Sequence, residues 1–213
     1  MKTKILPLIV IFSLNFSLYG QRSEEAKKLL DQVSKNIASF ENIQFDFNYV
    51  LENRQENIRQ ETQGNVTVAG ERYKLKLQET EQLFDGNKTY TIVPENEEIT
   101  ITNPNEGEDF GINPSKLLVF YKEGYTFHWD IKQNLLGRLV QFVKLIPIEE
   151  NKDVKYLLLG VDPQQKLIYR LIEIGKNGTR TTLTLSNINT NNSLPSNFFT
   201  FDSSQYPDFY INQ

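Results

Sequence analysis

Residues 42–51 read Asn-Ile-Gln-Phe-Asp-Phe-Asn-Tyr-Val-Leu, and this stretch decides the fold class. Every second side chain from Ile43 to Leu51 is apolar, and most of the residues between them are polar. Because successive side chains of a strand point to opposite faces, the pattern predicts a strand with one aromatic face and one hydrated face. Such a strand needs neighbours that extend its apolar face and a cover that shields this face from water.

The same alternation returns further along the chain. Apolar residues recur at Tyr73, Leu75 and Leu77, and again through Tyr125–Ile131. Turn sequences such as Asp-Gly-Asn at 85–87 and Lys-Asn-Gly at 176–178 separate the short runs. The spacing predicts a mainly β (α+β) fold, an antiparallel meander of about 10–11 strands whose last strand is 198–201.

Two helices are predicted beside these strands. Ser23 can cap the first helix, whose apolar stripe runs from Ala26 to Phe40 at helical spacing. Asn113 and Pro114 are typical of the start of a second helix, which Gly124 ends. The second helix is unusually apolar for its length, so we expect it to cover another apolar surface.

The N-terminus predicts export. Lys2 and Lys4 precede a mostly apolar stretch, and small Gly20 suits a cleavage site, so residues 1–20 are interpreted as a signal peptide. Residues 21–213 are then expected to form one domain. The chain has no cysteine, which excludes disulfides, thiolate metal sites and a lipid-modified cysteine.

Composition argues against nucleic-acid binding and against catalysis. Removing Lys2 and Lys4 takes the formal charge from −4 to −6, which is typical neither of a nucleic-acid binder nor of a protein drawn to anionic membranes. His128 is the only histidine, and no nucleophile motif surrounds a serine. We therefore expect no enzymatic activity, no metal site and no cofactor.

The apolar strand faces carry the functional prediction. They can fill a core completely, or they can line a cavity that holds an apolar ligand. The abundance of aromatic residues favours the second interpretation. The candidate ligand-binding residues are Phe45, Phe47, Tyr49, Tyr73, Leu75, Tyr90, Ile92, Phe127 and Trp129 on strands, with Leu117, Leu118 and Tyr121 from the second helix.

The order of several short motifs resembles the outer-membrane lipoprotein carrier protein (LolA) family, in particular its Bacteroidetes branch. Each motif is weak alone, and the specificity lies in their order and spacing over most of residues 24–207. The motifs are Ala26-x-x-Leu29-Leu30-x-x-Val33, Phe45-x-Phe47, Gln63–Val66, Tyr73–Leu75, Phe84–Tyr90, Asn113–Leu118, Tyr121–Tyr125, Leu145–Pro147, Val161-Asp162 and Phe199–Asp202.

This resemblance implies an incomplete antiparallel barrel closed by helices around an apolar cavity. It implies a monomeric periplasmic carrier that receives acylated lipoproteins from an inner-membrane ABC transporter and delivers them to an outer-membrane acceptor, without a cofactor. A lipid- or lipoprotein-sensing regulatory domain of the same fold is the alternative. As a hypothesis, Pro114–Tyr121 and the loop Asn103–Ile112 form a movable lid. Family members hold the lid with an arginine after the second long strand, a region where this chain offers only Arg72.

Overall fold

A computed structural model describes residues 14–103, 113–150 and 153–212. Within these ranges the chain forms two α-helices and twelve β-strands. They are α1 Leu14–Ala38, β1 Ile43–Asn53, β2 Ile58–Ala69, β3 Arg72–Leu77, β4 Thr80–Phe84, β5 Thr89–Val93, β6 Glu98–Thr102, α2 Pro114–Leu117, β7 Tyr125–Leu135, β8 Arg138–Pro147, β9 Val154–Asp162, β10 Leu167–Gly175, β11 Arg180–Thr190 and β12 Tyr210–Asn212.

All twelve strands belong to one sheet, in the order β12-β6-β5-β4-β3-β2-β1-β11-β10-β9-β8-β7. Strand β1 lies between two meanders, because it pairs with β2 on one side and with β11 on the other. Every pairing is antiparallel except that of β12 with β6. The sheet is open, with β12 and β7 at its edges, so the prediction of an incomplete antiparallel barrel is confirmed.

Helix α1 defines the inner face of the sheet. Ala26, Leu29, Leu30 and Val33 are buried against apolar strand residues, as the helical spacing predicts. The helix packs on β7 and β10. Its C-terminal end is fixed by the side-chain amide of Asn36, which donates to the backbone carbonyls of two residues in the β9–β10 turn.

The start of α1 differs from the prediction. The helix begins at Leu14 instead of following a cap at Ser23. In the unprocessed chain, residues 14–22 contain no proline and continue the helix upstream. The rest of the predicted signal peptide, residues 1–13, lies outside the described residues.

The end of the chain also differs from the prediction. Residues 198–201 contain a turn instead of a strand, and the last strand is β12. The cause is side-chain packing: Phe198 and Phe199 lie beside the cationic groups of Lys74 and Arg72, and Phe201 stacks on Tyr90. The segment therefore crosses the outer face of β3–β5 before β12 joins the sheet edge.

The second helix is shorter than predicted. The Asn113 side chain accepts hydrogen bonds from the backbone N–H groups of Ser115 and Lys116, which confirms the predicted cap, and Pro114 is the first helical residue. However, α2 ends at Leu117, and a 3-10 turn at Phe120–Lys122 follows it. Apart from Asn103, the predicted loop Asn103–Ile112 lies outside the described residues.

Candidate lipid-binding face

Ten of the twelve predicted ligand-binding residues lie in the hydrophobic cluster of the inner face. Four of them are buried: Phe45, Tyr73, Leu118 and Tyr121. The other six are half-buried and pack against this core: Phe47, Tyr49, Leu75, Leu117, Phe127 and Trp129. The fold therefore brings together strand and α2 residues that are up to 84 positions apart (Phe45 to Trp129) in the sequence.

The placement of Tyr90 and Ile92 on the inner face is wrong. Their neighbours Thr89 and Thr91 pair through β4 with inner-face residues of β3, so Tyr90 and Ile92 point outward. The Tyr90 ring stacks on Phe201 at a centroid distance of 4.4 Å, and its hydroxyl donates to the Asp85 carboxylate at 3.1 Å. Both residues contribute to the fold of the outer face and not to the candidate site.

Strands β1 and β11 form the floor of the middle of the candidate site. Phe47 is opposite Leu185, and Tyr49 is opposite Leu183. On the other side of β1, Phe47 pairs with Gly64, where a Cβ atom would come within 2.6 Å of the Phe47 ring and 2.4 Å of the Lys76 carbonyl oxygen. Glycine at this position therefore leaves the space that the phenyl ring of Phe47 occupies beside β2.

The wall at the far edge of the sheet comes from β7. Phe127 and Trp129 are opposite Leu145 and Val143 of β8, which are fully buried. His128, between these two aromatic residues, is exposed on the other face. Alternation along β7 therefore gives one apolar side and one polar side, as the sequence predicts.

Two separate covers lie on the inner face, and one hydrogen bond connects them. Helix α1 covers β7 and β10, whereas α2 covers β2 and β3. The hydroxyls of Ser34 on α1 and Tyr121 after α2 share a hydrogen bond of 3.0 Å. Burial is the main cause that raises the pKa of Tyr121; the hydrogen bond with Ser34 opposes the rise, and the charge of Asp31 adds to it.

The contact between the two covers differs from the arginine contact that the family resemblance implies. Arg72, the available arginine, lies on the outer face with its guanidinium 5.0 Å from the Phe199 ring centre. Ser34 makes the contact with Tyr121 instead. The sequence feature that could have pointed to this contact is Ser34 itself, a hydroxyl residue directly after Val33 at the border of the apolar stripe of α1.

One carboxylate interrupts the apolar lining. Glu173 is on β10 between Leu157 and Thr181, so it shares the inner face with Tyr125 and Phe127. Burial raises the pKa of Glu173, and the nearby Asp153 charge adds to the effect. Burial together with the Glu173 charge raises the pKa of the Tyr125 hydroxyl.

The inner face is an apolar surface that one carboxylate interrupts. Among the described residues, no group of three or more His, Cys, Asp or Glu side chains is placed to hold a metal ion. Within the same ranges, no helix is long and apolar enough to cross a membrane. Half-buried aromatic and aliphatic side chains are suited to contact with a flexible hydrocarbon.

A family comparison matches this architecture. Residues 16–170 match the model of the outer membrane lipoprotein carrier protein LolA. The chain belongs to the LolA family. The family assignment supports a lipid- or lipoprotein-binding domain of the carrier type. No curated protein sequence matches the chain.

Several solved structures are similar in fold at low sequence identity. An uncharacterised conserved protein from Thermus thermophilus has a TM-score of 0.55 at 9% identity, over 88% of this chain and 98% of that one. MucB has a TM-score of 0.52 at 13% identity, over 84% of this chain and 64% of MucB. A LolA superfamily protein from Nitrosomonas europaea has a TM-score of 0.44 at 12% identity, over 83% and 97% of the two chains.

Proposed function

We propose that this LolA-family protein carries acylated lipoproteins from the inner to the outer membrane, with their acyl chains against the inner face. The observation that supports this most is the set of half-buried apolar side chains on the inner face, five on strands, including Phe47, Tyr49 and Trp129, and Leu117 on α2. They present hydrocarbon surface, and among the described residues no group of three or more potential metal ligands lies near it.

The energetics favour binding by displacement of the α2 cover. The Ser34–Tyr121 hydrogen bond stabilises the closed arrangement by about 1 kcal/mol. Each CH₂ group of an acyl chain contributes about 0.8 kcal/mol when it leaves water. Two buried methylene groups therefore offset the loss of this bond, and further methylene groups have to offset the exposure of Leu118 and Tyr121, which are buried in the closed arrangement.

The proposed route is the periplasm. Residues 1–20 direct export, an inner-membrane ABC transporter supplies the lipoprotein, and an outer-membrane acceptor takes it from the carrier. The protein works as a monomer and uses no cofactor, because the transfer breaks no covalent bond. Release follows when the acceptor offers a better apolar surface or when the α2 cover returns.

A second candidate is a regulatory domain that senses lipids or lipoproteins. MucB, which shares this fold, has been crystallised in complex with MucA. A protein of this kind would bind apolar ligands on the same inner face and pass the signal to a protein partner, without transferring cargo between membranes.

Transfer from membranes tests the proposal and separates the two candidates. Inner-membrane vesicles that hold a labelled triacylated lipoprotein and the export transporter are incubated with the protein, and the soluble fraction is analysed. A carrier gives a soluble one-to-one complex. Binding of free acyl ligands without release of lipoprotein from the vesicles would instead identify a sensor. No binding of any apolar ligand would mean that the apolar side chains of the inner face only fill the core.

A matched pair of variants tests whether the cargo lies on the inner face. Trp129→Glu puts a charge among the half-buried apolar residues, whereas His128→Glu puts the same charge on the exposed face one residue away. We expect the first variant to lose lipoprotein uptake and the second to keep it. Equal uptake by both variants would contradict an inner-face site.

A further inference from the structure

The turn of the β7–β8 hairpin has a residue that its geometry does not favour. Leu135 pairs with Arg138, and the two residues between them, Leu136 and Gly137, have φ values of 53° and 85°. A two-residue turn with both φ values positive strongly prefers Asn-Gly or Asp-Gly. Leu136 adopts this conformation with 97% of its surface exposed, so no burial within the chain compensates for the backbone strain.

Leu136 differs in this respect from comparable residues. Seven non-glycine residues in the described parts of the chain have positive φ, and the other six are polar or charged: Asn57, Gln78, Glu97, Lys166, Asn187 and Asn191. Because the turn is strained, its exposed leucine is a candidate contact for a partner outside the chain. Two further exposed apolar residues, Ile131 and Leu139, lie on the same hairpin.

A basic groove lies directly beside this turn. It has a volume of about 490 Å³ on the outer face, and Leu136 and Tyr169 form part of its wall. Three arginines but only one acidic residue, Glu52, line it; the arginines are Arg59, Arg170 and Arg180. The hydroxyls of Thr182 and Thr184 are also part of the lining.

The three arginines differ in the partners that their guanidinium groups have within the protein. Arg59 forms ion pairs with Glu52 and Glu61. The Nε–H of Arg170 donates to Thr184, and its guanidinium lies over the Tyr169 ring. Arg180 is exposed and has no ion pair with another described residue. The groove therefore keeps positive charge available on a chain that is acidic overall, so the expectation from net charge, which argues against attraction to anionic membranes, does not describe this surface.

We propose that the hairpin tip and this groove dock the protein on an anionic phospholipid bilayer. Leu136 inserts between the lipid headgroups, and the arginines bind lipid phosphates, for which the planar guanidinium is well suited. A protruding apolar tip beside basic side chains fits a bilayer surface better than it fits an acidic protein segment, which would leave Leu136 uncovered. This surface is separate from the inner face and does not depend on cargo binding.

Vesicle flotation of the protein in its exported form tests the apolar part of the surface. Wild type should float with vesicles of phosphatidylethanolamine and phosphatidylglycerol, and not with vesicles of phosphatidylcholine alone. Leu136→Asn should weaken binding about tenfold, since it removes one buried leucine. The same change should leave the melting temperature equal or higher, because Asn suits this turn. Ile148→Asn, which replaces an exposed apolar residue elsewhere, is the control and should bind normally.

The basic part is tested by Arg180→Gln. This variant should lose about fivefold in affinity for the anionic vesicles, and its binding should depend less on salt. Lys35→Gln, at an exposed position on α1, should have no effect. Wild-type affinity of Leu136→Asn, or binding of the wild type to polyglutamate but to neither kind of vesicle, would overturn the proposal.

Discussion

The two halves of the sheet use the same alternating pattern in opposite ways. In β1–β3 and β7–β11 the largest apolar cluster faces α1 and α2, and a second, smaller cluster of Val140, Phe142, Tyr169 and Ile172 lies on the outer face of β8 and β10. In β4–β6 the inner positions include Gln82, Thr89 and Thr91, whereas Leu83 and Ile92 face outward. The C-terminal segment covers that outward surface with Phe201 and its neighbours.

The difference separates a surface suited to ligands from one that is permanently filled. The inner face of the larger half is covered by two separate elements that the Ser34–Tyr121 hydrogen bond connects, and several of its strand side chains stay half-buried. The outer face of β4–β6 is covered by a segment that also adds β12 to the sheet edge, so it is part of the fold. The threonine-rich inner side of β4–β6 limits the apolar site to the other strands.

The largest expected effect comes from the core of the inner face. Phe45→Ala removes a ring that is 1% exposed and leaves a cavity in the hydrophobic cluster of the inner face. We expect a loss of about 3–5 kcal/mol in the free energy of unfolding. Urea denaturation followed by circular dichroism measures it, and a loss below about 1 kcal/mol would show that this face is loosely packed.

A smaller effect is expected at the outer face. Phe201→Ala removes the ring that stacks on Tyr90 and should reduce the unfolding free energy by about 2 kcal/mol. Binding of a fluorescent acyl probe should not change, because the ring lies on the opposite side of the sheet from the site. Loss of probe binding by a folded Phe201→Ala protein would break the distinction between the two faces.

The connection between the covers should contribute about 1 kcal/mol. Tyr121→Phe keeps the buried ring and removes only the hydroxyl that bonds to Ser34. Amide hydrogen exchange in residues 113–122 should become about fivefold faster, with little change in α1. Ser34→Ala should have the same effect, and the double variant should add nothing further; additive effects would mean that the two hydroxyls act independently.

The smallest expected effect concerns the carboxylate on the inner face. The pKa of Glu173 is raised in the fold. At pH values between its ordinary pKa and its raised pKa, the folded state therefore holds a proton that the unfolded state has already released. Its contribution to the unfolding free energy therefore falls as pH rises from about 4.5, the ordinary value, through the raised folded value, and stays reduced above it.

Glu173→Gln should consequently be slightly more stable than wild type at pH 7, with no difference below about pH 4. Thermal unfolding at both pH values measures the change. Glu123→Gln, which alters an exposed acid, should match wild type at both values. A less stable Glu173→Gln protein at pH 7 would show that the charged carboxylate has a favourable partner.

The strands can be predicted because the period-two pattern is strong, and this pattern places strands such as β5 and β6 at their observed bounds. The direction in which Tyr90 points cannot be predicted from this pattern. Tyr90 and Ile92 alternate with Thr89 and Thr91, and the alternation is the same whichever pair faces inward. Only the register through β3 and β4 decides which set faces inward. Residues 198–201 have a strand-like composition, but contacts with Arg72, Lys74 and Tyr90 on distant strands determine their path.

Site-specific photo-crosslinking tests the central claim most directly. A photoreactive phenylalanine analogue is introduced at Phe47 or at Tyr90, and each protein is illuminated while it carries a labelled acylated lipoprotein. The inner-face account predicts a crosslink to the acyl chains from position 47 and none from position 90. Crosslinks from position 90 alone, or equal yields from both positions, would contradict the claim that the cargo lies on the inner face.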